Sequence, residues 1–139
     1  MFSDLFSEYF QSTYSTSAQN LYNLSSAARK SLVFNNITME QLEAAFKKLE
    51  ISTSVGPDGI TSYFIDKCWS SLRIPLLNLF NASLTSGIFP THWKSSFIQP
   101  IHKKGSRNEV CNYRPTLILN QFAKLFDSIV ATVLFDFVC

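Results

Sequence analysis

At 139 residues, 46% of them hydrophobic, the chain is long enough for one domain with a substantial core and too short for several. Its formal net charge of +2 singles out no partner. Cys68, Cys111 and Cys139 form no CxxC pair and leave one thiol over in any disulfide scheme, which argues against a disulfide scaffold or a cysteine-built zinc site and for a reducing compartment.

The N-terminus, MFSDLFSEYF, carries acids where a secretory signal needs bases and lacks a continuous apolar run. Leu5, Phe6, Tyr9 and Phe10 follow Phe2 at helical spacing, so a short amphipathic helix is expected within residues 1–16, dissolving into a linker. Residues 17–33 are polar and weakly patterned. A firm helix starts at Thr38, where Thr38 and Gln41 fit a capping box and Ile37 and Leu42 the hydrophobic staple around it. Met39, Leu42, Phe46 and Leu49 line one face of that helix, which is expected to end near Glu50.

SVGPDGI follows, with Gly56, Pro57, Asp58 and Gly59 forming a tight turn. Thr61 or Ser62 can cap a second helix. Pro75 is expected to end it and to start a third, which Gly87 closes as a C-terminal cap. SSFIQPI reads as a short strand, and TLILN as either a second strand or the beginning of the last helix. From Phe122 onward, Leu125, Phe126, Ile129, Val130, Val133, Leu134 and Phe137 keep helical register almost to Cys139. The longest apolar run, 128–135, is too short to span a bilayer and lies between Asp127 and Asp136. These readings predict five or six helices with a little strand around residues 103–112, in a chain that is intracellular (cytoplasmic or nuclear), not secreted and not in a membrane. Thirteen phenylalanines are a heavy load for this length, so some are expected to face protein outside these residues.

The positive charge is local. Residues 92–114 hold five of the twelve bases (Lys94, Lys103, Lys104, Arg107 and Arg114) and one of the ten acids, Glu109. Lysine offers a point charge and arginine a planar fork, both suited to phosphate. Pro115 restricts Arg114 to extended backbone and so aims its side chain. Spacing alone leaves two readings open, a solvated loop or a loop that grips phosphate. The Gly56–Gly59 segment reads first as a structural turn in which Asp58 bonds its own backbone, and only second as a ligand loop. His92 and His102 lack clustered partners, and Asp127 and Asp136 edge a helix, so no metal site and no self-sufficient active site emerge. Trp69 and Trp93 read as core or interface residues. The sequons at Asn23, Asn36 and Asn81 read as chance matches.

FSEYFQSTYST, ITMEQLEAAFKKLE, SVGPDGI, LLNLFNASLTSGIFPTHWKSSFIQPIHKKG and NYRPTLILNQFAKLFDSIV follow one another in an order that resembles the reverse transcriptases of non-LTR (LINE-type, jockey-like) retrotransposons. The likeness covers nearly the whole chain and departs at Thr116, where the family usually carries an aliphatic residue. It implies an α+β, mostly helical fold: the fingers of a right-hand polymerase, with short strands around a basic hairpin, truncated before the palm. Residues 1–36 would be a linker and N-terminal helical extension, and 37–139 a partial reverse transcriptase domain.

Carried over by motif, Lys103 or Lys104 and Arg114 would contact the triphosphate of an incoming deoxynucleotide. Arg107 and Lys94 would be secondary nucleic-acid contacts, and Gly56–Gly59 a supporting turn. The family's partners are an RNA template, a DNA primer and dNTPs, and its cofactor is Mg2+, held by palm aspartates in F-x-D-x-x-x-A-F-D and Y-A-D-D-type motifs. Neither motif occurs in these 139 residues. The chain is thus expected to bind no cofactor, to lack palm and thumb, and to be inactive alone. The alternatives are a non-catalytic RNA- or DNA-binding remnant and a helical protein-interaction module.

Overall fold

The computed structural model of the chain describes residues 2–13 and 36–138. The expected linker after the first helix and the weakly patterned stretch 17–33 lie outside the described residues. The described residues fall into two compact units, 2–13 with 98–117, and 36–97 with 118–138. The fold is α+β and mostly helical, with one small antiparallel sheet.

In the larger unit, helix α2 (Met39–Lys47) begins as its sequence dictates. The Thr38 hydroxyl accepts from the Gln41 amide, and the Gln41 side chain accepts from the Thr38 amide. Ile37 and Leu42, the staple pair, are both buried. The amide of Asn81 grips the backbone of Ile37 from both ends, its Oδ1 accepting at 2.7 Å and its Nδ2 donating at 3.1 Å. The Asn81 sequon is therefore occupied by internal bonding.

Helix α3 (Ser62–Ser86) overturns one expectation. Its 25 residues continue through Pro75, where a break between two helices was expected. Proline deprives the carbonyl of Ser71 of its partner, but Ser71 and Pro75 are both exposed, so water can take the free acceptor. On the opposite side, Ile65, Trp69, Leu72, Leu76, Phe80 and Ser83 form an unbroken helical stripe against the core. Burial of that stripe outweighs a proline cost of about 3 kcal/mol. Thr61 caps the start by accepting from the Phe64 amide, and Gly87 ends the helix in the left-handed conformation, as the sequence indicates. Among the described residues there are four α-helices and two short 3-10 turns, Thr91–Lys94 and Val110–Asn112.

Strand β1 (Ser96–His102) and strand β2 (Tyr113–Leu119) pair antiparallel, and helix α4 (Gln121–Val138) follows. TLILN is therefore strand up to Leu119. Phe80 packs edge-on against Trp93 and Phe126, at 5.5 and 5.2 Å between ring centroids, forming an aromatic centre with Leu42, Leu76, Leu125 and Ile129 around it. Trp69 lies flat on Phe46 with centroids 3.8 Å apart. The second half of α4 keeps its apolar pattern but not its burial: Phe135 is 71% and Val138 79% exposed. Phe64 and Phe97 are also more than half exposed. No helix among the described residues is long and apolar enough to cross a membrane.

In the smaller unit, α1 (Phe2–Thr13) lays Phe6 against the hairpin and stacks Phe10 on Phe6. Phe6 meets the edge of Tyr113 at 5.0 Å, and Phe10 is buried. An apolar concavity of about 530 Å³ lies between α1 and β1, lined by Phe6, Phe10, Ile98 and Pro100 among others.

Candidate nucleic-acid and nucleotide interface

The strands fix where the basic residues stand. Lys103 N donates to Asn112 O at 2.8 Å, which sets His102 opposite Tyr113, Ile101 opposite Arg114, and Pro100 opposite Pro115. The two prolines thus share a pair in which strand N–H groups point away from the partner, the arrangement a missing N–H tolerates. The His102 and Tyr113 rings touch at 5.2 Å on one face. Alternation then puts Arg114 and Lys103 on the other face as diagonal neighbours, at a Cβ spacing on the order of 7–8 Å.

The loop between the strands is braced by its own polar groups. Gly105 has φ +86 and supplies the left-handed turn. A Cβ there would lie 2.7 Å from the Asn112 amide nitrogen, so a side chain is excluded on two grounds. Asn112 Nδ2 donates to Ser106 O at 2.9 Å and to Glu109 Oε2 at 3.0 Å. The Tyr113 hydroxyl donates to Arg107 O at 3.1 Å, and His102 Nε2 lies 3.1 Å from Gly105 O. Every one of these bonds orders the loop, and none uses a cationic side chain.

Lys103, Lys104, Arg107 and Arg114 are all exposed, and among the described residues none forms an ion pair. Glu109, the only acid in the loop, is engaged by Asn112 and by the Cys111 thiol at 4.0 Å. The result is a braced hairpin with an unneutralised cationic tip, an arrangement that concentrates anions. Lys94 is exposed in the Thr91–Lys94 turn of the larger unit.

The Gly56–Gly59 segment lies in the larger unit and is built as a turn. Gly59 N donates to Gly56 O at 3.0 Å, Ile60 N donates to Asp58 Oδ1 at 3.1 Å, and Val55 and Thr61 close the turn with an isolated antiparallel bridge. A Cβ on Gly56 would meet Leu119 O at 2.9 Å. The residue that holds the turn is Asn120, which sequence reasoning missed. Buried to 1% exposure, it accepts from Asp58 N at 3.2 Å and donates to His92 O at 2.6 Å. Its partners lie 62 and 28 residues away, so no local pattern announces it.

Among the described residues, no group of three His, Cys, Asp or Glu side chains could hold a metal ion. Asp127 and Asp136 both project from α4, and partial burial pushes the Asp127 carboxyl above its ordinary value.

Comparison with known proteins gives the chain its relatives. It is 29% identical over 119 residues to a probable RNA-directed DNA polymerase from transposon BS of Drosophila melanogaster, covering 85% of this chain and 13% of that protein. It is 31% identical over 108 residues to the RNA-directed DNA polymerase from mobile element jockey of the same organism, covering 77% of this chain and 12% of that protein. An uncharacterized 149 kDa protein of transposon TX1 from Xenopus laevis is 25% identical over 100 residues, covering 72% of this chain and 8% of that protein. No protein-family model matches the chain. The chain therefore spans about an eighth or less of the length of these relatives. The likeness to jockey-like reverse transcriptases read from the motifs is borne out: over most of its length the chain is homologous to RNA-directed DNA polymerases of non-LTR retrotransposons.

Proposed function

Taking the chain as a homologous piece of such a polymerase, we propose that residues 37–139 are its fingers side, with the start of the palm, and that residues 1–36 are the preceding linker and helical extension. The function of the piece is to hold the triphosphate of an incoming deoxynucleotide, and the template beside it, during RNA-directed DNA synthesis. Lys103 and Arg114 bind from one face of the hairpin, and Lys104 from its turn. Arg107 and Lys94 are weaker nucleic-acid contacts, and the Gly56–Gly59 turn supports the core. The observation that carries this reading is the cationic hairpin tip, which is braced by Asn112, Tyr113 and His102 while its charges stay unpaired.

The chemistry suits that role. Phosphoryl transfer is accelerated largely by positioning and by stabilising charge, and cations held in place before the reaction do both. Metal-dependent steps belong to other parts of the longer protein, where Mg2+, the RNA template, the DNA primer and the dNTP would meet the palm. The exposed Phe135 and Val138 are then surface that the rest of the polymerase covers. The isolated chain is inactive in synthesis.

The test uses a full-length polymerase carrying this segment. Replacing Lys103, Lys104 and Arg114 together by alanine should raise the KM for every dNTP by about tenfold or more, the worth of a charge-assisted contact, while primer–template affinity changes much less. An unchanged KM would sink the triphosphate role. A second reading, a non-catalytic nucleic-acid-binding remnant, is favoured by the exposure of the same unpaired cations. It requires RNA binding by the 139-residue chain that weakens as salt rises.

A further inference from the structure

Helix α4 starts differently from α2 and α3. Those two have side-chain caps at Thr38 and Thr61, whereas the residue before α4, Asn120, has its amide engaged by Asp58 and His92. Among the described residues, no side chain caps the first-turn amides of α4. The positive end of an 18-residue helix is therefore left uncompensated.

A second, independent feature lies beside it. Gln121 is 2% exposed, yet among the described residues its carboxamide makes no hydrogen bond, while none of their fully buried side-chain polar atoms lacks a partner. Its amide must therefore open onto the concavity it lines, a hollow of about 270 Å³. Lys124 and Ser128 stand one and two helical turns along the same face of α4, and Lys48 and Ser52 line the other side. Neither lysine forms an ion pair among the described residues, and neither serine hydroxyl has a partner. Glu50 is the one acid on the rim.

We infer that this hollow is a phosphate-binding site. Gln121 donates from the buried floor, Lys48 and Lys124 supply charge, Ser52 and Ser128 complete the donors, and the start of α4 adds its field. The ligand is a phosphate group, supplied by a nucleic-acid backbone or by a free phosphate. The site lies wholly within the larger unit, and it stands or falls independently of the hairpin. Glu50 weakens the anion site and tunes it.

The experiment is a nuclear magnetic resonance titration of the 139-residue chain carrying Lys103→Ala, Lys104→Ala and Arg114→Ala, so that the hairpin contributes nothing. Inorganic phosphate and a single-stranded decaribonucleotide are the probes, and chloride at matched ionic strength is the control. The Gln121 side-chain amide and the backbone amides of Lys124 and Ser128 should shift. Shifts with both probes assign a site open to free phosphate; shifts with RNA alone assign the source to the backbone. Gln121→Leu, of similar volume, and Lys124→Gln, at an exposed position, should each weaken binding about tenfold. Glu50→Gln should tighten it. No shift beyond the chloride control, or shifts that survive both Gln121→Leu and Lys124→Gln, would overturn the assignment.

Discussion

Two glycine-bearing turns show how one sequence signal serves opposite ends. The Gly56–Gly59 turn directs its polar groups inward: Asp58 bonds to Ile60, its amide reaches Asn120, and Gly56 touches backbone. The loop at Gly105 is as well braced, by Asn112, Tyr113 and His102, but it leaves four cations in water without an acidic partner. The first is a turn whose loss unfolds something. The second is a turn whose charges can be removed while the scaffold stands. Stability and binding should therefore separate between them.

The largest expected effect is on the first turn. Asn120→Ala strips partners from the Asp58 amide and the His92 carbonyl, at roughly 1–3 kcal/mol each, so urea unfolding should show a loss of about 3 kcal/mol or more. Gly56→Ala forces a Cβ against the Leu119 carbonyl and should cost about 1–3 kcal/mol. Neither should alter the affinity of the folded hairpin for RNA. A Gly56→Ala chain as stable as the parent would contradict the close packing. Of intermediate size is Asn112→Ala. It unties the loop from Ser106 and Glu109 and should lower stability by about 1 kcal/mol, while RNA binding weakens because the cations lose their support. If RNA affinity stays put, bracing is irrelevant to binding.

The smallest effect concerns Asp127. Desolvation raises its folded-state pKa, so the ionised form is disfavoured by folding. The penalty is present above the folded pKa and disappears as pH falls through it towards the unfolded value. Asp127→Asn should then leave stability in acid unchanged and raise it slightly at neutral pH. Thermal melts of both chains across that range would reveal the opposite trend if Asp127 were instead held by a favourable partner.

The sequence carried the local devices plainly. The Thr38–Gln41 box, a cap at Thr61 or Ser62 that Thr61 supplies, the Gly87 terminus and the helical period of α4 all rest on neighbours within a few residues, and each is present. What it hid was non-local. Pro75 looked like a helix end because local propensity favours one, but the stripe from Ile65 to Ser83 overrides it through burial that no local pattern contains. Asn120, read only as part of a strand or of the entry to the last helix, and Gln121 drew no role from the sequence, since what gives them their roles is packed from distant segments. The cationic loop was visible as charge. That Glu109 fails to neutralise it was not, because Asn112 holds Glu109 elsewhere.

The most direct measurement is the salt dependence of single-stranded RNA binding, by fluorescence anisotropy, for the 139-residue chain and for its Lys103→Ala, Lys104→Ala, Arg114→Ala variant, with a thermal melt of each. If the hairpin grips phosphate, the variant melts like the parent, and the slope of log affinity against log salt becomes shallower by about 2, roughly 0.7 for each of three lost contacts. Equal slopes and equal affinities in two equally folded chains would contradict a hairpin that grips nucleic-acid phosphate.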